Sequence, residues 1–223
     1  MNEDQDPYYG RPECSNSDLS ILAKYWQSFQ ISYDIEKAYR FGTLVDCMLT
    51  EPNKVNYFQF TCAGWQYTRE DFQLAETMKK VFCRDEYCQL LLKHSDTQKV
   101  TVNPKFAISH LGMDFTIPFR MKADFDALRV LKLIADFKTT NAETQKEFEK
   151  MVQVFHYDRQ GAVYLDLAGG DQFLLVAVSK KPPHRLFKVP IRRGDPLYQS
   201  GLAKYQELAF RWYNLFGNLQ IAA

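Results

Sequence analysis

The first half of the chain carries apolar residues three and four positions apart, the spacing that places side chains on one face of a helix. In the first such stretch, Leu19 and Trp26 follow Asn16 and Ser17, either of which can cap a helix. A second helix is expected to end before Pro52, because a proline disfavours helical geometry in the preceding residue. The pattern predicts four helices, over about residues 16–29 and 34–49, from residue 69 onward, and over 85–94.

From residue 99 the pattern changes to β-branched and aromatic runs that are typical of strands, namely VTV, FAIS, FTIPFRM and ADFDAL. The next run, RVLKLIADFK, predicts a buried strand, after which Thr139, Thr140 or Asn141 can cap a helix that continues, with a bend, to Leu167. Strands over 173–180 and 185–191 and a final amphipathic helix over 196–215 follow. Helices first and mixed elements later predict an α/β (α+β) protein with helices covering a sheet.

Composition indicates a folded protein and sets no strong bias in charge. The chain has 223 residues and is 46% hydrophobic, enough to form a core and too much for a disordered chain. Lys and Arg number 28 against 27 Asp and Glu, so any contact with nucleic acid must come from a local patch. We expect a flexible arm over residues 1–14 and one domain over 15–223, with a helical part to about 95 and the sheet beyond it.

Cysteine content and the N-terminus predict a soluble, cytoplasmic protein. The five cysteines include no CxxC pair, which disfavours a disulfide framework and a four-cysteine zinc site. The opening MNEDQD is acidic rather than apolar, and the longest aliphatic run, Phe173 to Val178, is too short to span a bilayer. No association with a membrane is expected.

Asp136 and Lys138 stand two positions apart in the run IADFKTT, so a strand would place both on one face. A carboxylate that holds a cation, beside an ammonium that faces the scissile phosphate, is what a metal-dependent phosphodiesterase needs. Asp124 upstream supplies a second acid, and Asp126 on the same strand face could compete for that role. The alternative interpretation of Asp136 and Lys138 is a buried structural ion pair, because an interior charge is costly without a partner.

The order Asp124, Asp136-x-Lys138, then Gln160 and Tyr164 on the following helix resembles the PD-(D/E)XK nuclease superfamily. Within it, the chain looks most like the phage and prophage exonuclease VIII group, relatives of lambda exonuclease. IADFKTT resembles that group's acid-x-Lys-Thr-Thr strand, YDRQGAVYLD its Tyr-x-x-Gln-x-x-x-Tyr helix, and FGTLVDCMLTEP its Gly-Thr-x-x-His-x-x-x-x-Glu-Pro helix. The resemblance implies a restriction-endonuclease-like core with a central mixed sheet flanked by helices.

The resemblance implies that Asp124, Asp136 and the backbone carbonyl of Phe137 hold a divalent cation. Asp46 stands where many relatives carry histidine, and an oxygen ligand there favours Mg²⁺, with Mn²⁺ as a substitute, over zinc. Asp46 could instead be an ordinary polar position of its helix. The chain shows no clear counterpart of the polar, often acidic residue that relatives carry ahead of the first aspartate.

The remaining site residues follow from the same resemblance. Lys138 is expected to orient the attacking water or to stabilise the negative charge that develops on the phosphate. Gln160 and Tyr164 are four residues apart and share a helix face, which Tyr157 joins. In the resembling group this face lines the active cleft, so the three side chains are predicted there.

Basic residues near the predicted sheet suggest where DNA could lie. Lys180, Lys181 and Arg185 belong to the densest basic region of the chain and are predicted to contact the DNA backbone. Solubility alone explains such a region about as well.

The resemblance implies a magnesium-dependent deoxyribonuclease, specifically a 5′-to-3′ exonuclease acting at the ends of linear duplex DNA in phage-type recombination. It also implies a homo-oligomeric ring and a single-strand annealing protein as partner. Two other hypotheses stay open: a non-catalytic DNA-binding or assembly module that keeps the fold, and a structure-specific endonuclease.

Overall fold

The structure, a computed structural model, describes residues 8, 10–26 and 33–217. Its first half contains four helices: α1 (Asn16–Trp26), α2 (Tyr33–Thr50), α3 (Arg69–Arg84) and α4 (Glu86–His94). The four predicted helices are confirmed, although the expected end of the first, near residue 29, lies outside the described residues. Thr68 and Asp71 form the capping box that begins α3.

A small antiparallel sheet between α2 and α3 was missed by the sequence pattern. After a turn of 3-10 helix (Pro52–Lys54), it consists of β1 (Val55–Asn56), β2 (Thr61–Cys62) and β3 (Trp65–Gln66). Strands of two residues are too short to show the apolar alternation from which strands are predicted.

The second half forms the main sheet and three further helices. Its elements are β4 (Asp96–His110), β5 (Met113–Asp126), β6 (Leu133–Thr140), α5 (Gln145–Val154), α6 (Tyr157–Ala168), β7 (Gln172–Ser179), β8 (Leu186–Arg192) and α7 (Pro196–Phe216). The strands lie in the order β4-β5-β6-β7-β8, with β6 and β7 parallel and all other neighbours antiparallel. The predicted mixed sheet flanked by helices is confirmed.

Helix bounds after β6 correct the sequence prediction. Thr139, Thr140 and Asn141 do not cap the next helix, because β6 continues through Thr140. The cap is Thr144, whose hydroxyl accepts a hydrogen bond from the backbone N–H of Glu147 at 3.2 Å. The expected bent helix is two helices, since the backbone at the residue before Tyr157 is left-handed, with φ of 56°.

Each face of the main sheet packs against its own set of helices. One face buries Phe148 of α5 and Val163 of α6 among residues from α1 and α7. The opposite face buries Met78 and Phe82 of α3 with residues of α2 and α4. The strands in the middle are therefore covered on both sides, as the continuous apolar run of β7 predicted. None of the described helices has the length and apolar character needed to cross a membrane.

Packed structure begins earlier along the chain than the predicted boundary after residue 14. Tyr8 is 6% exposed, and its carbonyl accepts a hydrogen bond from Arg120 Nε at 3.2 Å. Cys14 forms a parallel bridge with Phe119 of β5. Residues 1–7 and 9 of the expected arm lie outside the described residues.

Candidate active site

The site begins where β5 and β6 separate. The two strands pair only at Phe125 with Ala135 and at Asp126 with Ile134. The next pair in register would be Asp124 with Asp136, but the ladder stops before it. Instead, Asp124 Oδ2 accepts a hydrogen bond from the backbone N–H of Phe137 at 2.8 Å. The two predicted acids therefore stand on either side of an opening between neighbouring strands.

Asp136, Lys138 and Gln160 come together as the sequence predicted. Asp136 is only 3% exposed, and its Oδ2 forms an ion pair with Lys138 Nζ on the same strand face. Its Oδ1 accepts a hydrogen bond from Gln160 Nε2 of α6 at 2.6 Å. Both carboxylate oxygens are thus oriented by neighbours, one on the strand and one on the helix.

Asp46 of α2 reaches the same site through Gln98 of β4. The Gln98 amide nitrogen donates to Asp46 Oδ2 at 3.1 Å and to Thr50 Oγ1 at 3.0 Å. It also lies 3.4 Å from Asp124 Oδ1. Three carboxylates, from α2, β5 and β6, are therefore grouped around one opening.

Gln98 is the site residue that sequence reasoning missed. It has a left-handed backbone, with φ of 52°, at the point opposite Asp124 where the pairing of β4 with β5 is interrupted. Its Oε1 is buried and has no hydrogen-bond partner among the described residues. No local motif marks this glutamine, because its importance depends on the register between β4 and β5.

The acids hold more negative charge than their surroundings neutralise. Burial raises the pKa of Asp124 well above its usual value, and the charges of Asp136 and Asp46 raise it further. Burial and then the charge of Asp136 raise the pKa of Asp46 to about 6, against the opposing effect of Lys122 and Lys138. Like charges that repel in this way form a site that favours a cation.

Lys138 remains charged despite its surroundings. Burial alone lowers the pKa of this lysine, but the negative charge of Asp136 outweighs burial and leaves the pKa above its ordinary value. Its Nζ also lies 5.2 Å from the ring centroid of Tyr157, at the start of α6. The ammonium is therefore held between a carboxylate and an aromatic wall.

Tyr164, the last predicted member of the α6 face, contacts the backbone of β5. Its hydroxyl donates to the backbone carbonyl of Lys122 at 3.0 Å, and its ring packs edge-on against Phe173. The hydroxyl contacts a strand and not a carboxylate. This contact joins α6 to β5, the strand that carries Asp124.

The three predicted DNA-contacting basic residues divide into two groups. Lys180 follows β7, and its Nζ lies 5.0 Å from the ring centroid of Phe41 of α2, while burial lowers its pKa. Lys181 Nζ instead pairs with Glu143 Oε1 at 2.5 Å, and Arg185 donates to the backbone carbonyl of Glu143 at 3.2 Å. Only Lys180 contacts α2 beside the ends of β6 and β7.

Asp126, the competing acid, has partners of its own. Lys99 Nζ pairs with its Oδ2 at 2.7 Å, and the backbone N–H of Leu128 donates to its Oδ1 at 3.1 Å. A carboxylate with this set of partners has a structural role, so Asp124 is the acid of β5 that belongs to the site.

The donor set suits a hard divalent cation. Within the described ranges, no three His, Cys, Asp or Glu side chains already stand at metal-ligand spacing. The amide of Gln98 lies between the carboxylates of Asp46 and Asp124, and the ammonium of Lys138 contacts Asp136, so each acid has a polar hydrogen as its neighbour. Carboxylate and amide oxygens are the ligands that Mg²⁺ prefers, so the chemistry of these side chains fits such an ion.

Comparison with known proteins assigns the chain to a family and identifies solved structures with a similar fold. Residues 11–215 match a family described as a PDDEXK-like domain of unknown function. A structure provisionally described as an exonuclease, from Eubacterium rectale, superposes with a TM-score of 0.55 at 17% identity, covering 85% of this chain and 70% of that one. No curated protein sequence matches the chain.

Two further structures show lower similarity. A phage-related exonuclease from Haemophilus somnus has a TM-score of 0.39 at 15% identity, with 88% of each chain covered. An alkaline exonuclease from Laribacter hongkongensis has a TM-score of 0.36 at 15% identity, with 95% of each chain covered.

Proposed function

Because the chain belongs to the PDDEXK-like family, we propose that it is a metal-dependent deoxyribonuclease that hydrolyses phosphodiester bonds of DNA. One observation carries the proposal: Asp46, Asp124 and Asp136 surround the opening between β5 and β6, with Lys138 beside them. A structural ion pair would need one acid for one lysine. Three grouped acids with raised pKa values at Asp46 and Asp124 indicate a site for a cation.

The protein groups that would hold the ion are all oxygen donors. Asp46, Asp124 and Asp136 supply carboxylates, and Gln98 supplies the buried amide oxygen that lacks a partner. In an extended strand the N–H and C=O of one residue point to the same side. Because the N–H of Phe137 points at Asp124, its carbonyl faces the same opening and would complete the set. A bound Mg²⁺ would lower the pKa of a water molecule and neutralise charge on the phosphate.

The neighbouring side chains would prepare the site for an in-line attack. Lys138, which stays charged, would orient the water or stabilise the negative charge that develops on the phosphate. Gln160 holds Asp136 in one orientation, and Tyr164 fixes the strand that carries Asp124. Tyr157 forms the wall beside Lys138, and Lys180 would contact a neighbouring phosphate.

The finer proposal is a 5′-to-3′ exonuclease on linear duplex DNA. It is supported by the resemblance of the acid-x-Lys strand and the Gln/Tyr helix to the exonuclease VIII group, and by the fold shared with the Eubacterium rectale protein described as an exonuclease. A ring-shaped oligomer and a single-strand annealing partner stay predictions of that resemblance.

Digestion of DNA tests the proposal directly. Purified protein is incubated with linear duplex DNA and Mg²⁺ beside the variants Asp136→Ala and Lys138→Ala. Only the parent protein should release nucleotides, and EDTA should stop the release. Covalently closed circles should survive an exonuclease, whereas their loss would show an endonuclease.

The second candidate is a non-catalytic DNA-binding module, favoured by two residues of this site. Asp46 replaces the histidine of many relatives, and Gln98 occupies the site where a carboxylate would bind the ion more strongly. Retained binding of DNA without digestion under Mg²⁺ or Mn²⁺ would support this candidate and reject the enzyme.

A further inference from the structure

The segment over residues 55–67, the aromatic loop, presents aromatic rings to solvent. Phe58 at the turn between β1 and β2 is 98% exposed, the highest value among the large hydrophobic side chains that the structure describes. Tyr57, the residue before Phe58, and Trp65, on the far strand β3, are 42% and 43% exposed. An isolated exposed apolar residue needs no explanation, but three exposed or half-exposed aromatic side chains on one short segment indicate an interaction surface.

The loop is built to hold Phe58 outward. Asn56 Oδ1 accepts hydrogen bonds from the backbone N–H groups of Phe58 and Gln59, both at 3.0 Å, which fixes the turn. Gln66 Nε2 donates to the carbonyl of Gln59 at 2.8 Å and braces the turn from the neighbouring strand. The exposed ring is therefore carried by an ordered turn, in which little conformational entropy remains to be lost on binding.

The base of the loop is anchored in the protein core through Phe72 of α3. The rings of Phe60 and Tyr57 pack edge-on against Phe72, with centroids 5.3 and 5.7 Å away. Tyr57 also donates from its hydroxyl to Glu76 Oε1 at 2.7 Å. The aromatic loop thus has a buried side and an exposed side, and Phe58 lies entirely on the exposed one.

The loop is attached to the helix that borders the proposed catalytic cleft. Tyr67 donates from its hydroxyl to the backbone carbonyl of Arg40 at 3.0 Å, and the Arg40 guanidinium lies 3.8 Å above the Trp65 ring centroid. Arg40 also pairs with Glu36 in the preceding turn of α2. A cation stacked on an aromatic ring forms a flat surface that suits both the π-faces and the phosphates of nucleic acid.

The opposite side of the same turn of α2 faces the catalytic strands. A side-chain carbon at Gly42 would lie 3.8 Å from Thr139 Oγ1 of β6, next to Lys138. The aromatic loop and the end of β6 are therefore separated by one helix, about 10 Å across. A strand of DNA that leaves the cleft over α2 would reach the loop within a few nucleotides.

We infer that the aromatic loop stacks unpaired bases of a DNA strand that leaves the catalytic cleft across α2. The inference rests on the proposed function, because its ligand is an unpaired strand of the DNA on which that nuclease acts. The exposed area of the aromatic side chains indicates that the loop binds bases and not a second protein. At their exposed fractions, three aromatic rings offer roughly 400 Å², about half of the ~800 Å² per partner in a stable protein interface. Stacking of one to three bases fits that area.

Binding of a single-stranded oligonucleotide, measured without hydrolysis, tests the inference. Fluorescein-labelled oligothymidylate of fifteen nucleotides is titrated with protein in EDTA and followed by fluorescence anisotropy. Phe58→Ala should weaken binding about tenfold, since base stacking on one ring supplies that much affinity. Phe58→Tyr keeps the ring and should bind like the parent protein.

Leu111→Ala is the matched control, because Leu111 is 90% exposed at the turn between β4 and β5 and should not contact the strand. Equal affinity of Phe58→Ala and the parent overturns the inference. A particle mass of Phe58→Ala below that of the parent protein in light scattering also overturns the inference, because it would show that the loop is a contact between copies of this chain. Digestion of duplex DNA by the parent is scored separately. If Phe58→Ala weakens binding but the parent protein does not digest DNA with any metal, the proposed activity is wrong and the inference about the aromatic loop stands. If the parent digests DNA but Phe58→Ala binds as tightly as the parent, only the inference about the loop is wrong.

Discussion

Helix α6 carries the buried acid Asp158 on one side and contacts the buried acid Asp136 of the main sheet on the other, and the two sides differ in how charge is neutralised. Toward α7, Asp158 is fully buried, and its Oδ2 accepts from Ser200 Oγ at 2.8 Å and Lys204 Nζ at 2.6 Å. Its Oδ1 accepts from the backbone N–H of Arg159 at 2.9 Å. Every oxygen has a donor and the charge has one lysine, so the group holds α6 against α7.

Toward the main sheet, the same helix contacts Asp136 through Gln160, and Asp136 stands beside two acids that have no lysine partner of their own among the ion pairs of the described residues. The side chains of Asp46 and Asp124 accept hydrogen bonds from the amide of Gln98, from the N–H of Phe137 and, at Asp46, from Thr50. The pKa values of Asp46 and Asp124 are raised by burial and by neighbouring carboxylates. A buried acid with a full set of partners builds the structure, whereas crowded acids keep a site ready for a cation.

Removal of the two partly buried lysines of this comparison, Lys138 and Lys204, should have opposite effects on activity and stability. Lys138→Ala should lower the rate of DNA hydrolysis about 10²- to 10³-fold, because it removes positive charge from the developing transition state. Its stability with Mg²⁺ present should fall less than that of Lys204→Ala. Single-turnover hydrolysis and urea unfolding of the same preparations measure the two effects.

Lys204→Ala should instead lower the free energy of unfolding by about 3 kcal/mol, since it leaves the charge of Asp158 buried without its lysine. The folded fraction should hydrolyse DNA at nearly the parent rate. Loss of activity in fully folded Lys204→Ala would contradict the division between a structural and a catalytic side of α6.

The metal-free protein should lose stability as pH rises, through Asp46. The pKa of Asp46 is raised from 3.8 to about 6 in the folded state, so its bound proton favours folding below pH 4 and this contribution disappears as pH rises through 6. The effect should amount to at most about 3 kcal/mol. Mg²⁺ should raise the melting temperature more at pH 8 than at pH 5, because it replaces the proton.

Asp46→Asn is the variant that checks this effect. It should raise the melting temperature in EDTA at pH 8 and remove most of the stabilisation by Mg²⁺. Thermal unfolding from pH 4 to 8, with EDTA or Mg²⁺, measures both. A lower melting temperature of Asp46→Asn in EDTA at pH 8 would show that the carboxylate stabilises the metal-free protein.

Gln98 should set the affinity of the site for the ion. Gln98→Glu adds a carboxylate between Asp46 and Asp124, so it should tighten Mg²⁺ binding about tenfold and destabilise the metal-free protein. Isothermal titration with Mg²⁺ gives the affinity, with Gln66→Glu in the aromatic loop as a control for added charge. Unchanged affinity would place Gln98 outside the ligand set.

The smallest expected effect is a difference in DNA binding between variants of the adjacent residues Lys180 and Lys181. Lys180 has no carboxylate partner in the described ranges, whereas Lys181 pairs with Glu143. Lys180→Ala should therefore weaken DNA binding and reduce the slope of log affinity against log salt by about one. Lys181→Ala should change that slope less, and equal changes for the two variants would mean that both contact phosphates.

Several residues of the site could be predicted from sequence because the relevant neighbours are local. Asp136 and Lys138 share a strand face by alternation, and the resemblance to a known family added Gln160 on the following helix. The structure groups these three side chains as expected. The helix after β6 was placed wrongly at its start, because three polar residues that could cap a helix also continue a strand.

The other residues of the site are brought together by contacts between segments that are distant in the chain. Asp46 and Gln98 are 52 positions apart and meet only because α2 packs across the end of β4. Lys181 pairs with Glu143, 38 positions away in the chain, and no local pattern predicts that partner.

The sequence by itself determined the helices, the main strands and the acid-x-lysine pair, since periodicity and short spacing constrain neighbours within one or two elements, and its resemblance to a known family added the glutamine. Only the tertiary structure decided where β5 and β6 separate, which glutamine enters the acid cluster, and which lysines are neutralised. Those features depend on register and packing between distant segments, and no local pattern records them.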